Sequence, residues 1–261
     1  MTTTTPLPPQ VEVLTCDNPS PMTLEGTNSY LIGDPGAEEV VVVDPGPEGH
    51  PKHVADLVAA AGSRTVTEIL VSHRHPDHFG AAKLLSAQTG APVRGIDPDV
   101  CISGGDGTVL PLIDGEQVTV AGHSITVLHT PGHTSDSVSF WVPAANAMLT
   151  GDTVLGRGTT MLDYPDGTLT DYLATLEKLA EYGEAMLLPA HGPVHEQMGP
   201  VVQKYREHRL ERLDQARQLL EEHGDLSAEE LGVLVYGENP RVDQRIITKI
   251  TAAQLEHLQR S

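Results

Sequence analysis

Aromatic residues are scarce: two Phe, one Trp and six Tyr among 261 residues. A core must come from the Val-rich aliphatic set, which at this length suffices for one large domain, or one domain with a small appendage. Long hydrophobic runs are missing. None approaches the roughly 20 residues that span a bilayer, so no membrane partner is expected. Cysteine is nearly missing too. Cys16 and Cys101 lie too far apart to be a disulfide framework, and a reducing, cytoplasmic location is expected. The opening "MTTTTPLPPQ" has neither a basic nor an apolar stretch of the secretory kind and reads as a short disordered lead-in.

Positive charge is the other shortage: 16 Lys+Arg against 36 Asp+Glu, a net −20. Residues 1–200 hold 7 cations and 25 acids, whereas 201–261 hold 9 and 11. The long acidic part excludes whole-surface attraction to nucleic acid; the last sixty or so residues are less hostile to phosphate. Bound divalent cations would offset part of the acidity.

What is present is a series of short β-branched runs, among them "VEVLTC", "SYLIG", "EVVVVDPG", "VTEILVS", "QVTV", "SITVLHT", "SVSFWVP", "AMLTGD" and "AMLLPA". Most stop at Gly, Pro or Asp, as strands do. "VVVV" does not alternate, which predicts a strand covered on both faces. Helical patterns intervene: "PKHVADLVAAAG" between Pro51 and Gly62, "HFGAAKLLSAQTG" stopping at Gly90, and "TLTDYLATLEKLAEYG" with Leu169, Leu173, Leu176 and Leu179 on one face. From about Val201 the pattern is purely helical: one long charged helix to about His223, a second opened by a Ser227/Glu230 capping box, and a third from about Val242. The expected organisation is an α/β sandwich over 1–200 and a helical appendage over 201–261.

"SHRHPDHFG", residues 72–80, crowds His73, His75, Asp77 and His78 directly after an apolar strand. Chance alone yields H-x-H-x-D-H in roughly one of 500 chains of this composition, so a histidine-rich turn is a poor explanation. His73 and His75 are two apart in chain leaving a strand and point one way. Pro76 suits the first turn of a helix, from which Asp77 and His78 project. His133 in "LHTPGHTSDS", Asp152 in "AMLTGDTV" and His191 in "AMLLPAHGP" share this placement at strand ends, each beside a glycine. Five imidazoles and two carboxylates suffice for two ions sharing one carboxylate.

"SHRHPDH", "PGHT", "TGD" and "PAHGP", in that order, together with "GTNSYLIG" and "VVVDPG", resemble the metallo-β-lactamase superfamily over about 27–195. The resemblance implies a four-layer αββα sandwich with a dinuclear centre at one edge. It implies that His73, His75 and His133 hold one ion, that Asp77, His78 and His191 hold the other, and that Asp152 bridges. Two Zn2+ are expected, because the related diiron flavoproteins carry an acid at the position of His75; Mn2+ and Fe2+ also accept this donor set. "MTLEGTNSYLIG", "GDTVLGRGTTMLDY", "YLATLEKL", "EHRLERLDQ" and "AAQLEHLQ" resemble the lactamase-β-like endoribonuclease branch, with its small winged-helix-like C-terminal domain. The chain stops after the last helix, so a following wing is expected to be absent.

The function expected from these residues is hydrolysis by metal-activated water, with Asp77 and Asp152 catalytic. No G-x-S-x-G elbow is present. Single-stranded RNA is the first substrate considered, and a thioester, a lactone or a β-lactam the alternative. A second copy of the chain is a further candidate partner. Arg157 and Thr159 in "GRGTT", and His208 and Arg209 on the long tail helix, are candidate substrate contacts; Lys204, Arg206 and Arg212 would extend a phosphate track. For the tail residues an ordinary solvated helix face explains the pattern equally well. Asp44 either orients the histidine loop or merely makes its "DPG" turn. His195 is a candidate support for the cluster, His50, His53, His123, His129, His223 and His257 are read as structural, and "GGDGT" at 104–108 as a turn.

Overall fold

The structure, a computed structural model, describes residues 5–104, 107, 109–237 and 243–260. Residues 1–4 of the expected lead-in, most of the 104–108 turn and the expected start of the last helix at Val242 lie outside that set. Strands β1 (Val11–Thr15), β2 (Asn28–Ile32), β3 (Glu39–Val43), β4 (Thr65–Leu70) and β5 (Val93–Arg94) form one sheet in that order. Strands β6 (Gln117–Val120), β7 (His123–His129), β8 (Val138–Val142), β9 (Ala147–Gly151) and β10 (Met186–Pro189) form the second. Parallel pairing occurs where a helical crossover is available. The helix α1 (Pro51–Ala61) joins β3 to β4, α2 (Pro76–Phe79) and α3 (Ala82–Thr89) join β4 to β5, and α4 (Leu169–Ala180) joins β9 to β10.

The "VVVV" run shows how the layers assemble. Val40 to Val43 are at most 2% exposed. Val41 and Val43 face the other sheet, where they meet Ile125, Val127 and Phe140, while Val40 and Val42 face α1 and α3 through Val54, Leu57 and Leu85. The outer face of the second sheet packs α4 and the long helix α5 (Gly199–His223) through Met148, Tyr172, Leu176 and Tyr205. The result is the expected αββα order. On α4 the buried face is Leu169, Tyr172, Leu176 and Leu179; Leu173 is only half-buried, because the stripe turns through Tyr172 and Thr175 instead.

Helix α6 (Ala228–Tyr236) opens with the predicted Ser227/Glu230 capping box, and α7 (Gln244–Arg260) returns across it. Ala216, Leu231 and Val235 form a small core between α5, α6 and α7. Ala253 of α7 reaches the larger core under α4. The two-residue β5 went unread, being too short to carry a periodicity. No helix among the described residues is long and apolar enough to cross a membrane.

β7, β9 and β10 run in one direction, so their C-terminal ends share one edge of the second sheet. The loop after β4 meets that edge, where the Val138 N–H donates to the Ser72 carbonyl at 2.8 Å. Four loops from two sheets therefore converge.

Candidate metal centre

Convergence needs close backbone approach. Gly151 ends β9 at φ 49°, and a Cβ there would lie 2.7 Å from the Ser72 side chain. Gly132, at φ 137°, lies against Tyr172 of α4, where a Cβ would stand 2.4 Å from Cα. These glycines let Asp152 and His133 reach the loop that carries His73, His75, Asp77 and His78.

All seven candidate ligands come together in three overlapping groups: His73, His75 and His133; His73, His78 and Asp152; and Asp77, His78 and His191. In the first, His73 Nε2 and His133 Nε2 each lie 3.0 Å from His75 Nδ1. In the last, Asp77 Oδ2 lies 3.2 Å from His191 Nε2 and 3.5 Å from His78 Nε2. Asp152 stands between them. Its Oδ1 is 3.5 Å from His78 Nε2 and 3.3 Å from His191 Nε2, and its Oδ2 is 3.7 Å from His133 Nε2.

The opposite nitrogen of every ring is tied down, which fixes the tautomers. His78 Nδ1 donates to Asp44 Oδ2 at 2.9 Å, His133 Nδ1 to the Met161 carbonyl at 2.6 Å and His191 Nδ1 to the Gly26 carbonyl at 3.1 Å. Ser72 Oγ donates to Asp44 Oδ2 and so accepts from His73 Nδ1 at 3.1 Å. His75 Nε2 faces Asp163 Oδ2 at 3.4 Å. Four Nε2 atoms and one Nδ1 atom therefore point at one another and at two carboxylates, and with no proton on them each would offer a lone pair. The buried atoms His78 Nε2, His191 Nε2 and Asp152 Oδ1 have no hydrogen-bond partner. Lone pairs about 3.3 Å apart are what a tetrahedral ion with about 2.0–2.1 Å bonds to nitrogen requires. The donor set fits divalent cations and leaves those three atoms without a partner otherwise.

Electrostatics follows from the packing. Burial, reinforced by His78 and His133, pushes the His73 imidazole well below the usual histidine value. Burial likewise pushes His133 down. Burial works against a charged His78, but the Asp152 and Asp44 carboxylates outweigh it and hold that imidazole well above the usual value. His191 is raised against its burial by Asp152 and Asp77. Burial would raise Asp152, yet His78 and His191 hold it well below the carboxylate range. The protein alone therefore treats one end of the cluster as neutral and the other as an ion pair. Cations taking over Asp152 would remove the attraction that keeps a proton on His78.

Asp44 does both things open to it. It makes the turn at φ 51°, and its Oδ1 accepts from the Ser72 N–H at 2.7 Å while its Oδ2 serves Ser72 and His78. His53, read as structural, donates from Nε2 to Ser29 Oγ beneath that turn at 2.7 Å, and Ser29 Oγ donates in turn to the Asp44 carbonyl. His195 lies outside the cluster, with Nε2 donating to the Gly156 carbonyl at 2.6 Å.

Arg157 and Thr159 line a cavity of about 360 Å3 that reaches His133 and Asp152 and is walled by Met22, Leu24, Leu155, Met161, Ile246 and Ile250. His208 and Arg209 do not line it. Arg209 is 4% exposed; its guanidinium donates to the Thr160 carbonyl and lies 5.1 Å from the Tyr172 ring centre. It faces the interior, not solvent. Asp163, the Met161 and Gly26 carbonyls and the α7 isoleucines gave no sequence signal, since ordinary residue types acquire these roles only through the tertiary fold.

Residues 22–191 match the model of the metallo-beta-lactamase superfamily. A beta-lactamase-like protein 2 homolog of Caenorhabditis elegans is 31% identical over 229 residues, 85% of this chain and 75% of that protein. The atrochrysone carboxyl ACP thioesterase nsrC of Aspergillus novofumigatus is 30% identical over 251 residues, 91% of this chain and 74% of that one. A metallo-beta-lactamase family protein of Thermus thermophilus superposes with a TM-score of 0.77 at 24% identity, covering 97% of this chain and 94% of that one. TTHA1623, solved in a di-iron-bound form, gives 0.56 at 27% identity over 72% of this chain and 95% of that one. Motif order, layer order, the converging lone pairs and these similarities agree: the chain belongs to the metallo-β-lactamase superfamily and is a metallo-hydrolase.

Proposed function

We propose that the chain is a dinuclear zinc hydrolase acting on acyl thioesters. The observation that carries this is the apolar cavity opening onto His133 and Asp152. A chain of apolar atoms gains from leaving water there, whereas a phosphodiester backbone would lose its hydration. The thioesterase name of one relative supports the same class.

Two ions held by the two histidine groups would supply Lewis-acid activation of water and of the carbonyl. The residues do the rest. Asp152, with an oxygen toward each group, fixes their relative position. Asp77 has the more exposed carboxylate, 29% against 14%, and is placed to receive the proton that leaves the attacking water. The water oxygen adds to the carbonyl carbon, the C–S bond breaks and the thiol departs with a proton. Met22, Leu24 and Leu155 exclude bulk water from the acyl side.

RNA is the weaker candidate because four of its five expected cations are engaged; the fifth, Lys204, is exposed. Arg157 pairs with Glu25 and Arg206 with Glu177, Arg209 is buried, and Arg212 bonds Gln215 and lies over Tyr236. Cys16 and Cys101 are free thiols, which suits a reducing, cytoplasmic compartment. The test is to offer the zinc-loaded protein acyl thioesters, S-lactoylglutathione, single-stranded RNA and a chromogenic cephalosporin, beside Asp152→Ala. Thioester turnover lost in that variant is the expected result, with a fall of about a hundredfold to a thousandfold, the range for losing one group that stabilises the transition state. RNA cleavage without thioester turnover would overturn the proposal.

A further inference from the structure

We propose that α7 supplies the far wall of an acyl-chain pocket, and that Ile246 and Ile250 set the length of chain accepted. The choice of an acyl occupant rests on the thioester function proposed above.

Helix α7 presents two faces with different fates. Ile247, Thr251 and Gln254 are buried against the rest of the helical region. Ile246 and Ile250, one residue round and four apart, share an adjacent face. They are half-buried and belong to none of the hydrophobic cores formed by the described residues. They line instead the cavity that His133 and Asp152 also line. β-Branched side chains keep few rotamers, so this wall is stiff.

Another part of the lining is built at a cost. Leu24 sits at φ 57°, a left-handed conformation that a bulky residue seldom adopts. Its Cδ1 lies 3.0 Å from where a Cβ on Gly192, beside His191, would be. Met22, two residues earlier, is 50% exposed at the mouth. Such strain persists where the surroundings over-determine it, typically at ligand sites.

The α7 wall is also registered to the reacting centre. Lys249, between the two isoleucines, pairs with Asp163, whose other oxygen faces His75 Nε2. One carboxylate therefore ties α7 to a ring of the metal cluster. Polar groups from Arg157, Thr159 and Asp243 also line the cavity, and the remainder is mostly apolar. At about 360 Å3 it is within the range of small-molecule sites, roughly 300–1,000 Å3.

The test needs no turnover. The full chain is titrated by calorimetry with S-alkyl-N-acetylcysteamine thioethers from ethyl to dodecyl, which cannot be hydrolysed. Affinity should rise about fourfold per methylene until the chain meets α7, then level off. Ile246→Ala combined with Ile250→Ala should move the break to longer chains, and Ile250→Trp to shorter ones. Val233→Ser, at an exposed position of α6, should keep the wild-type profile. The tryptophan variant adds bulk at a half-exposed site and keeps the test decisive if the double variant does not fold. A break at the same length in wild type and in the folded variants, or no dependence on length at all, overturns the inference. Hydrolysis of the matching acyl thioesters is read separately: shifted binding without turnover sinks the catalytic proposal and leaves the wall standing.

Discussion

Each imidazole of the cluster has one nitrogen occupied by the protein and one left over, and the groups that occupy them set how precisely the cluster is held. Asp166 shows this one step removed. Its carboxylate accepts from the Ser135 N–H at 2.8 Å and the Ser135 hydroxyl at 2.7 Å, and pairs with Arg74 at 2.8 Å. It thus joins the loop of His133 to the loop of His73 and His75. Burial pushes its carboxyl up, but Ser135 and Arg74 outweigh that and hold it below the usual carboxylate range. A depressed folded value means stability that is complete above the unfolded aspartate value of about 3.9 and is lost as pH falls through the lower folded value. Asp166→Asn should therefore cost roughly 1 kcal/mol at neutral pH, a modest figure because the side chain is partly exposed. The gap from wild type should close in acid. Urea unfolding at neutral pH and below pH of about 3.9 checks this; a gap of constant size would remove Asp166 from the account.

At the scale of elements, α5 does something that its charge pattern concealed. Arg206, Arg209 and Arg212 recur every third residue and read either as a phosphate track or as an ordinary solvated face. Instead, Arg209 enters the core and takes the Thr160 carbonyl, next to Met161, whose carbonyl receives His133 Nδ1. Helix α5 thereby steadies His133, a candidate ligand, through two consecutive backbone groups. No carboxylate among the described residues pairs with Arg209. Arg209→Met should lower stability by roughly 1–3 kcal/mol, the cost of a buried carbonyl losing its donor. It should weaken metal retention, and both effects should be insensitive to salt. Unchanged unfolding together with a flatter salt dependence of RNA binding would return Arg209 to a phosphate track. The contrast explains what was legible. The seven cluster residues could be read because ligand chemistry demands particular side chains at short, fixed spacings, and β3 because burial on both faces leaves an unbroken valine run. Arg209, Asp163 and Ile250 could not, because their roles depend on which distant backbone or side chain the fold brings to them. The same limit substituted Tyr172 for Leu173 on α4, where an aromatic ring continued the helical stripe.

For the molecule as a whole, the cluster is a stability element as well as a reactive one. Atoms such as His191 Nε2 and Asp152 Oδ1 are buried without hydrogen bonds, so a cation bound only by the folded state stabilises it. Each site contributes about 2.7 kcal/mol when free metal exceeds its Kd a hundredfold. Zinc-reconstituted protein should contain about two ions per chain and melt higher than protein treated with chelator. Elemental analysis returning less than one ion, or superimposable melting curves, would count against the dinuclear assignment.

The arrangement of strands has a consequence for how the molecule could be divided. β1–β5 fill one sheet and β6–β10 the other, so the strands pass between sheets once, along the connection that includes Leu110, 68% exposed. Cut there, the chain would become two half-molecules, one carrying His73, His75, Asp77 and His78 and the other His133, Asp152 and His191. Neither half owns a complete histidine group, and each leaves bare one side of the interface formed by Val41, Val43, Val127 and Phe140. Separately expressed halves should hold little metal and aggregate through that apolar face. Mixed, they should reassemble, with zinc acting as a reversible clasp whose removal by chelator loosens the pair in gel filtration. The metal centre would then report, by its occupancy alone, whether two separate polypeptides had found each other.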